Sequence, residues 1–130
     1  MKKKILIVMA NYYQNISDAL LSGAKKELQK PICLIKVPGV FEIPVTIAKN
    51  IKKFDGFVAL GCVIKGETPH FDFISKAAID GIMKLSIEHK KPIGNGIITC
   101  LNLNQALVRQ KKGQEAAAAV LSVLNSTKTF

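Results

Sequence analysis

The chain has 130 residues, 48% of them hydrophobic, which is enough for one compact domain that folds without disulfides or a structural metal. No apolar stretch is long enough to cross a bilayer, so we expect a soluble protein with no membrane partner. The net charge of +10 comes from basic residues dispersed along the chain, without a dense block or a run of aromatic residues, and this pattern argues against a nucleic-acid partner.

Four short, β-branched apolar runs alternate with segments of helical periodicity. The basic N-terminus resembles a secretory signal, but its apolar run is too short, and we interpret it as the first strand. The predicted strands are Lys4–Met9, Ile32–Val37, Phe54–Val63 and Ile93–Leu101. The predicted helical stripes are Ile16, Leu20, Leu21, Ala24 and Leu28, then Ile74, Ala78, Ile82 and Leu85, with further helical segments at Pro44–Lys53 and Gln105–Leu124.

The strand runs are almost continuously apolar, which indicates that both faces of the sheet are covered. We therefore predict an α/β fold over residues 1–130, a three-layer α/β/α sandwich with a four-stranded parallel sheet of the doubly wound, flavodoxin-like type. Ligands of such sheets bind beyond the carboxyl ends of the strands. Residues 11–13, 38–42 and 61–70, and those after Thr99, follow the predicted strands and are the places to look for a site.

The three cysteines, Cys33, Cys62 and Cys100, are widely separated, and each lies in an apolar, strand-like run. Their spacing fits neither a disulfide framework nor a set of metal ligands, and none has a histidine close by in sequence. We predict buried free thiols in a reducing compartment, which points to a cytoplasmic protein.

The segment from Lys65 to His70 has the features of an anion site at the start of a helix. Thr68 suits the N-cap and Pro69 the first helical position, so we expect a helix to open at Pro69. Its free N–H groups, preceded by flexible Gly66 and the charge of Lys65, favour a phosphate. His70 would lie in the first turn, where the helix dipole favours a neutral imidazole that can act as a general base. An exposed histidine with no role is the alternative.

Glu42 and Arg109 are the other candidate binding residues. Glu42 follows the second predicted strand, where a carboxylate can accept hydrogen bonds from sugar-like hydroxyls or can simply favour the start of the next helix. Arg109 is the one arginine among 19 basic residues, which makes it a candidate for a place where a planar fork must bind phosphate or carboxylate; a single arginine left by chance is the alternative. His89 lies at a predicted helix end, where a cation complements the dipole, so we assign it no catalytic role.

Two segments of the chain resemble the lumazine synthase family. Residues 38–44, PGVFEIP, are similar to the family's P-G-[AS]-x-E-[IL]-P segment. Residues 60–71, LGCVIKGETPHF, are similar to its L-G-x-V-I-[RK]-G-E-T-x-H-[FY] segment. Weaker similarity covers residues 20–24, 96–99, 105–109 and 112–117, so the resemblance extends over nearly the whole chain.

The resemblance implies a transferase that acts on two small molecules without a cofactor or a metal. It condenses 5-amino-6-(D-ribitylamino)uracil with 3,4-dihydroxy-2-butanone 4-phosphate to 6,7-dimethyl-8-ribityllumazine, phosphate and water, the penultimate step of riboflavin biosynthesis. The 5-amino group attacks the ketone to form an imine, phosphate leaves by elimination, and the second amine closes the ring with loss of water. Positioning of the reactants and electrostatic handling of phosphate would supply most of the acceleration.

The resemblance also implies the roles of individual residues. His70 matches the catalytic histidine that transfers protons. The positions matched to the pyrimidine and the ribityl chain are Tyr12, Val40, Phe41, Glu42, Cys62, Val63, Ile64, Asn95 and Lys112. The positions matched to the phosphate are Gly66, Glu67, Thr68 and Arg109. Family sites lie between adjacent subunits of a pentamer, which implies a homopentamer in which Asn95, Arg109 and Lys112 reach the site of the neighbouring subunit.

Two features differ from many relatives. Asn95 replaces a phenylalanine, which leaves an aromatic sandwich around the pyrimidine one-sided, and only Gln110 and Lys111 separate Arg109 from Lys112 where relatives have a longer loop. The shorter loop, together with the lack of the N-terminal extension found on some capsid-forming relatives, predicts a free pentamer rather than a sixty-subunit shell. Asn95 and the shorter loop leave open a non-catalytic family member that binds riboflavin or lumazine, although such a carrier has no need of a phosphate site.

Overall fold

Four parallel strands form the centre of the molecule in the computed structural model, which describes residues 3–29, 31–66 and 70–126. The strands are β1 (Ile5–Ala10), β2 (Cys33–Val37), β3 (Gly56–Ile64) and β4 (Ile93–Cys100). They lie in the order β2-β1-β3-β4, and every neighbouring pair is parallel. The predicted four-stranded parallel sheet is confirmed.

Helices cover both faces of this sheet. They are α1 (Gln14–Leu28), α2 (Ile43–Lys49), α3 (His70–His89), α4 (Leu103–Val108) and α5 (Lys112–Leu124), and a short 3-10 turn at Val40–Glu42 precedes α2. α1 and α5 bury their apolar sides against one face, and α2 and α3 bury theirs against the other. The predicted three-layer α/β/α sandwich is therefore confirmed.

Alternate residues of the central strands supply two separate cores. Met9 and Leu60 point towards α1 and α5, whereas Val8 and Ala59 point towards α2 and α3. All six residues of β1 are buried, because this strand has a partner on each side and helices above and below. This environment explains why the strand sequence is continuously apolar rather than alternating.

The predicted helical segment Gln105–Leu124 is wrong as a single element. α4 ends at Val108 and α5 begins at Lys112, with Arg109 in a non-helical conformation between them. The side-chain oxygen of Asn102 accepts a hydrogen bond from the backbone N–H of Gln105 at 2.9 Å. This N-cap starts α4 ahead of the predicted segment.

Cys33 is exposed, contrary to the prediction of three buried thiols, because it is the first residue of β2, an edge strand of which only the last residue is buried, while Cys62 and Cys100 are buried as predicted. The predicted helix opening at Pro69 lies outside the described residues. Within residues 3–29, 31–66 and 70–126, none of the helices combines the length and apolar character that a membrane span needs.

Candidate functional site

A cavity of about 860 Å³ lies beyond the carboxyl ends of β1, β2 and β3. Its wall is formed by the loop after β1, the 3-10 turn after β2, the last residues of β3 and the first two turns of α3. This is the position at which doubly wound sheets bind their ligands, because the loops that leave neighbouring strands diverge there.

The cavity brings together most of the residues that the sequence predicted for one site. The ones in its wall are Tyr12, Val40, Phe41, Glu42, Cys62, Val63, Ile64, Gly66 and His70. They come from the loop after β1, the 3-10 turn after β2, the end of β3 with the loop that follows it, and the start of α3. The parallel strands end at the same edge of the sheet, which brings these residues together. Of the predicted phosphate set, Gly66 lies in the wall, and Glu67 and Thr68 lie outside the described residues.

Asn95, Arg109 and Lys112 are not part of this wall. The side-chain oxygen of Asn95, within β4, accepts a hydrogen bond from the backbone N–H of Ile97 at 3.0 Å. Arg109 is exposed and donates from Nη1 to the carbonyl oxygen of Thr99 at 3.0 Å. Lys112 is the exposed first residue of α5. These three are the residues that the resemblance assigned to the neighbouring subunit.

The 3-10 turn is seated closely on the end of β3. Val40 is buried there, and a Cβ added at Gly61 would lie 2.6 Å from its Cγ1 atom, so the turn needs a glycine at this place in the strand. The same packing leaves Phe41 exposed and Glu42 half-buried on the cavity side. The Thr46 hydroxyl donates to the carbonyl oxygen of Glu42 at 2.8 Å and ties the turn to α2.

Two adjacent tyrosines form the opposite side of the cavity. Tyr12 is 75% exposed, and its ring meets that of Tyr13 edge-on, with centroids 4.9 Å apart and an interplanar angle of 72°. Burial raises the pKa of Tyr13, with smaller contributions from Tyr12 and Cys62. Tyr12 therefore offers an exposed aromatic ring to a planar ligand, and the edge-on contact with Tyr13 supports that ring.

A model of the family described as 6,7-dimethyl-8-ribityllumazine synthase matches residues 2–128. The chain is 45% identical to the protein of that name from Bartonella tribocorum, over 100% of this chain and 95% of the relative. It is 42% identical to the one from Agrobacterium fabrum, over 98% and 96%, and 37% identical to the one from Desulfovibrio desulfuricans, over 93% and 86%. The chain belongs to this family. The family assignment predicted from residues 38–44 and 60–71 is confirmed.

The lumazine synthase segments lie on two sides of the cavity. Residues 39–42 supply the turn above β2, and residues 62–64, 66, 70 and 71 supply the end of β3 and the start of α3. Two segments that are distant in sequence therefore meet around one space because β2 and β3 both flank β1. This arrangement gives the cavity one side with a carboxylate, at Glu42, and one side with an imidazole, at His70.

The sequence predictions missed several apolar wall residues. Tyr13, Phe71, Phe73, Ile74 and Ala77 line the cavity but were not predicted. Four wall positions of α3, namely 70, 73, 74 and 77, have the spacing of one helix face, and this periodicity was a signal that could have identified them.

Cys62 is a wall residue with an unreactive thiol. Burial raises its pKa from the ordinary 9.0 to about 12, and the neighbouring Cys100 adds to the shift. At neutral pH the thiol is fully protonated, and a protonated thiol is a poor nucleophile. Cys62 therefore contributes shape and apolar surface to the cavity rather than covalent chemistry.

Proposed function

We propose that the cavity condenses 5-amino-6-(D-ribitylamino)uracil with 3,4-dihydroxy-2-butanone 4-phosphate to 6,7-dimethyl-8-ribityllumazine. The observation that carries the proposal is the meeting of both family segments, including Glu42 and His70, around one cavity at the carboxyl edge of the sheet. Full-length similarity to lumazine synthases supports the same conclusion. No observation favours the non-catalytic alternative.

In this proposal the diamine occupies the side of the cavity formed by β1 and the 3-10 turn. The exposed ring of Tyr12 stacks on the pyrimidine, and Cys62, Val63 and Ile64 form an apolar floor beneath it. The ribityl chain lies along the turn at Phe41 and Glu42, whose carboxylate accepts hydrogen bonds from its hydroxyls.

The phosphorylated ketone occupies the side next to the start of α3. A Cβ added at Gly66 would meet nothing within 4 Å, so this position leaves room for a phosphate group. Lys65 is exposed beside it and supplies positive charge, and Glu67 and Thr68 complete the proposed phosphate loop. His70 then transfers protons between the attacking amine, the ketone and the leaving water.

We further propose that the active form is a homopentamer with sites between adjacent subunits. Asn95, Arg109 and Lys112 lie outside the cavity of their own chain, which supports their assignment to a neighbour's site. Arg109 would then grip the ketone's phosphate with a bidentate fork. The free thiols of the chain support a reducing compartment, which we propose is the cytoplasm.

The test is to mix the purified protein with both substrates and to follow lumazine formation by absorbance, beside the same mixture without protein. We expect product to form much faster with protein, because the cavity positions two reactants that otherwise meet by diffusion. A protein that binds lumazine but leaves the rate unchanged would establish the non-catalytic alternative and defeat the proposal.

A further inference from the structure

Lysines from separate segments of the chain meet at the amino edge of the sheet, where the strands begin, opposite the cavity. Lys4 immediately precedes β1, and Lys90 lies just before β4. Lys52 and Lys53 precede β3, and Lys49 ends α2 shortly before them. All five are exposed, and because the strands are parallel, the segments that lead into them lie at one edge. We call these five lysines the amino-edge patch.

Hydrogen bonds hold these segments against one another. The carbonyl oxygen of Lys4 accepts from the backbone N–H of Asp55 at 2.8 Å, which joins the start of β1 to the segment before β3. The ammonium group of Lys91 donates to the carbonyl oxygen of Ile51 at 2.6 Å, which joins the segment before β4 to the same place. The patch is therefore a continuous surface of the fold rather than a set of unrelated side chains.

The amino-edge patch carries a net positive charge. In residues 3–4, 49–56 and 90–92 the one carboxylate is that of Asp55, and it accepts a hydrogen bond from the backbone N–H of Lys4 at 2.7 Å. The ion pairs of the described residues lie on α3 and include none of the five lysines. Like charges that the fold holds together repel one another, so a polyanion that binds among them is favoured.

We propose that the amino-edge patch binds the phosphate backbone of double-stranded DNA without regard to its sequence. Neighbouring strands are about 4.8 Å apart, so the row from β1 through β3 to β4 extends about 10 Å. Duplex DNA carries one charge per about 1.7 Å of its axis, so this length presents about six phosphates to the patch. The lysines are dispersed along the chain, which is why the sequence argued against a nucleic-acid partner, and the fold brings them together. The proposal does not rest on the proposed enzymatic function.

A lipid surface fits this patch less well. Proteins that bind to a membrane surface add apolar side chains, which enter the lipid, to their basic ones. None of the large apolar side chains in residues 3–4, 49–56 and 90–92 is exposed. Contact with bases is also disfavoured, because the patch has no arginine and no exposed aromatic ring to read or stack on them. Charge alone remains, and the partner with the densest charge matches it best.

The experiment measures the binding of a fluorescent duplex of about 20 base pairs by anisotropy, at salt concentrations from about 50 to 200 mM. We expect the logarithm of the binding constant to fall against the logarithm of the salt concentration with a slope of about −4 to −5, since each neutralised phosphate contributes about −0.9. The amino-edge variant, Lys52→Ala with Lys53→Ala and Lys90→Ala, should reduce the slope to about −2 and weaken binding roughly a hundredfold. A parent chain that does not bind the duplex, or whose binding does not depend on salt, would overturn the proposal.

The control variant, Lys36→Ala with Lys76→Ala and Lys111→Ala, removes the same charge from exposed positions away from the amino edge. Its slope should stay near that of the parent chain. Equal loss in both variants would show that binding follows net charge, and the patch would then have no special part in it. Tighter binding to vesicles that contain anionic phospholipid than to the duplex, at equal phosphate concentration, would overturn the proposal in favour of a membrane.

A second measurement uses the unaltered chain, so it does not depend on the folding of any variant. Exposed lysines are acetylated with and without the duplex, and the extent of modification at each lysine is measured by mass spectrometry. The duplex should protect Lys52, Lys53 and Lys90 and leave Lys36 and Lys111 as reactive as before. Equal protection of both groups, or protection of neither, would also overturn the proposal.

Discussion

Arg109 is an exposed side chain that is hydrogen-bonded to the backbone of β4. Its guanidinium donates one hydrogen bond, from Nη1, to the carbonyl oxygen of Thr99 just before β4 ends. A guanidinium carries five N–H donors in a rigid plane, so this anchor leaves an edge of the fork available for a phosphate. A lysine at this place would keep the charge but lose both the anchor geometry and the bidentate grip.

We expect Arg109→Ala to raise the KM for the phosphorylated ketone about tenfold to a hundredfold, since a hydrogen bond to a charged group contributes about 1.5–3 kcal/mol. The KM for the diamine should change little, because the proposed Arg109 contact is to phosphate alone. Steady-state kinetics with one substrate varied at a time separates the two constants. Lys111→Ala, which removes a nearby exposed charge, is the matched control. An unchanged ketone KM in Arg109→Ala would refute the assignment.

Individual site residues could be predicted where a residue with suitable chemistry follows the end of a predicted strand. Glu42, Gly66 and His70 follow predicted strands in polar, glycine- or proline-containing segments, so their place at the strand ends could be inferred. Phe73 was not predicted, although it lies on the same face of α3 as His70, because no predicted strand end points to it. Cys33 was misjudged, because an apolar run does not say how completely its strand is covered, and only the last residue of β2 is buried.

At the scale of elements, the close contact of α5 with α1 fixes where α5 begins. A Cβ added at Gly113 would overlap the backbone carbonyl of Leu20. Gly94 of β4 plays a similar part, because a Cβ there would overlap the carbonyl oxygen of Ala116 in α5. These two glycines allow α5 to lie directly on α1 and on β4, and they thereby place Lys112 at the start of the helix.

We expect Gly113→Ala to lower the free energy of unfolding by about 1–3 kcal/mol, the usual cost of overpacking a well-packed contact. Alanine is the better helix former by about 1 kcal/mol, so a contact-free position would instead gain stability. Urea unfolding at one fixed protein concentration measures the difference. Gly66→Ala is the control, since its added Cβ meets nothing within 4 Å. Equal or greater stability of Gly113→Ala would contradict this account of the α1–α5 contact.

Elements were predictable to different degrees. The strands are short apolar runs bounded by turn residues, and each observed strand begins and ends close to the prediction. The break between α4 and α5 was missed, because helical periodicity continues on both sides of Arg109. The start of α4, by contrast, has a local signal: the Asn102 side chain accepts from the N–H of Gln105 at 2.9 Å, and the Gln105 side chain accepts from the N–H of Leu101 at 2.7 Å.

At the scale of the whole molecule, α3 and α4 each expose several large apolar side chains. α3 exposes Phe73, Met83 and Ile87 on one side, and α4 exposes Leu107 and Val108. Large side chains that are grouped in this way mark surfaces that another molecule covers. α3 adjoins the proposed substrate site through His70, and α4 leads directly into Arg109. A neighbouring subunit that covers these helices would therefore also bring its residues to the cavity.

A site shared between two subunits predicts a result that a site within one chain does not. His70→Ala should chiefly lower kcat, and Arg109→Ala should chiefly weaken binding of the phosphorylated ketone. Each variant alone is therefore poorly active. In a homopentamer assembled at random from equal amounts of both variants, about a quarter of the sites should combine an intact His70 with a neighbour's intact Arg109. We expect the mixture, unfolded and reassembled together, to recover activity towards that fraction.

The control distinguishes exchange of subunits from simple addition of two weak enzymes. The same variants are reassembled separately and combined only afterwards, and light scattering first establishes that every sample has the mass of five chains. Recovery should occur only when the chains assemble together, because a site gains both residues only across a mixed interface. If joint assembly gives no recovery while the five-chain mass is retained, Arg109 acts within its own chain or outside the site. The apolar sides of α3 and α4 would then form a contact that does not complete the cavity.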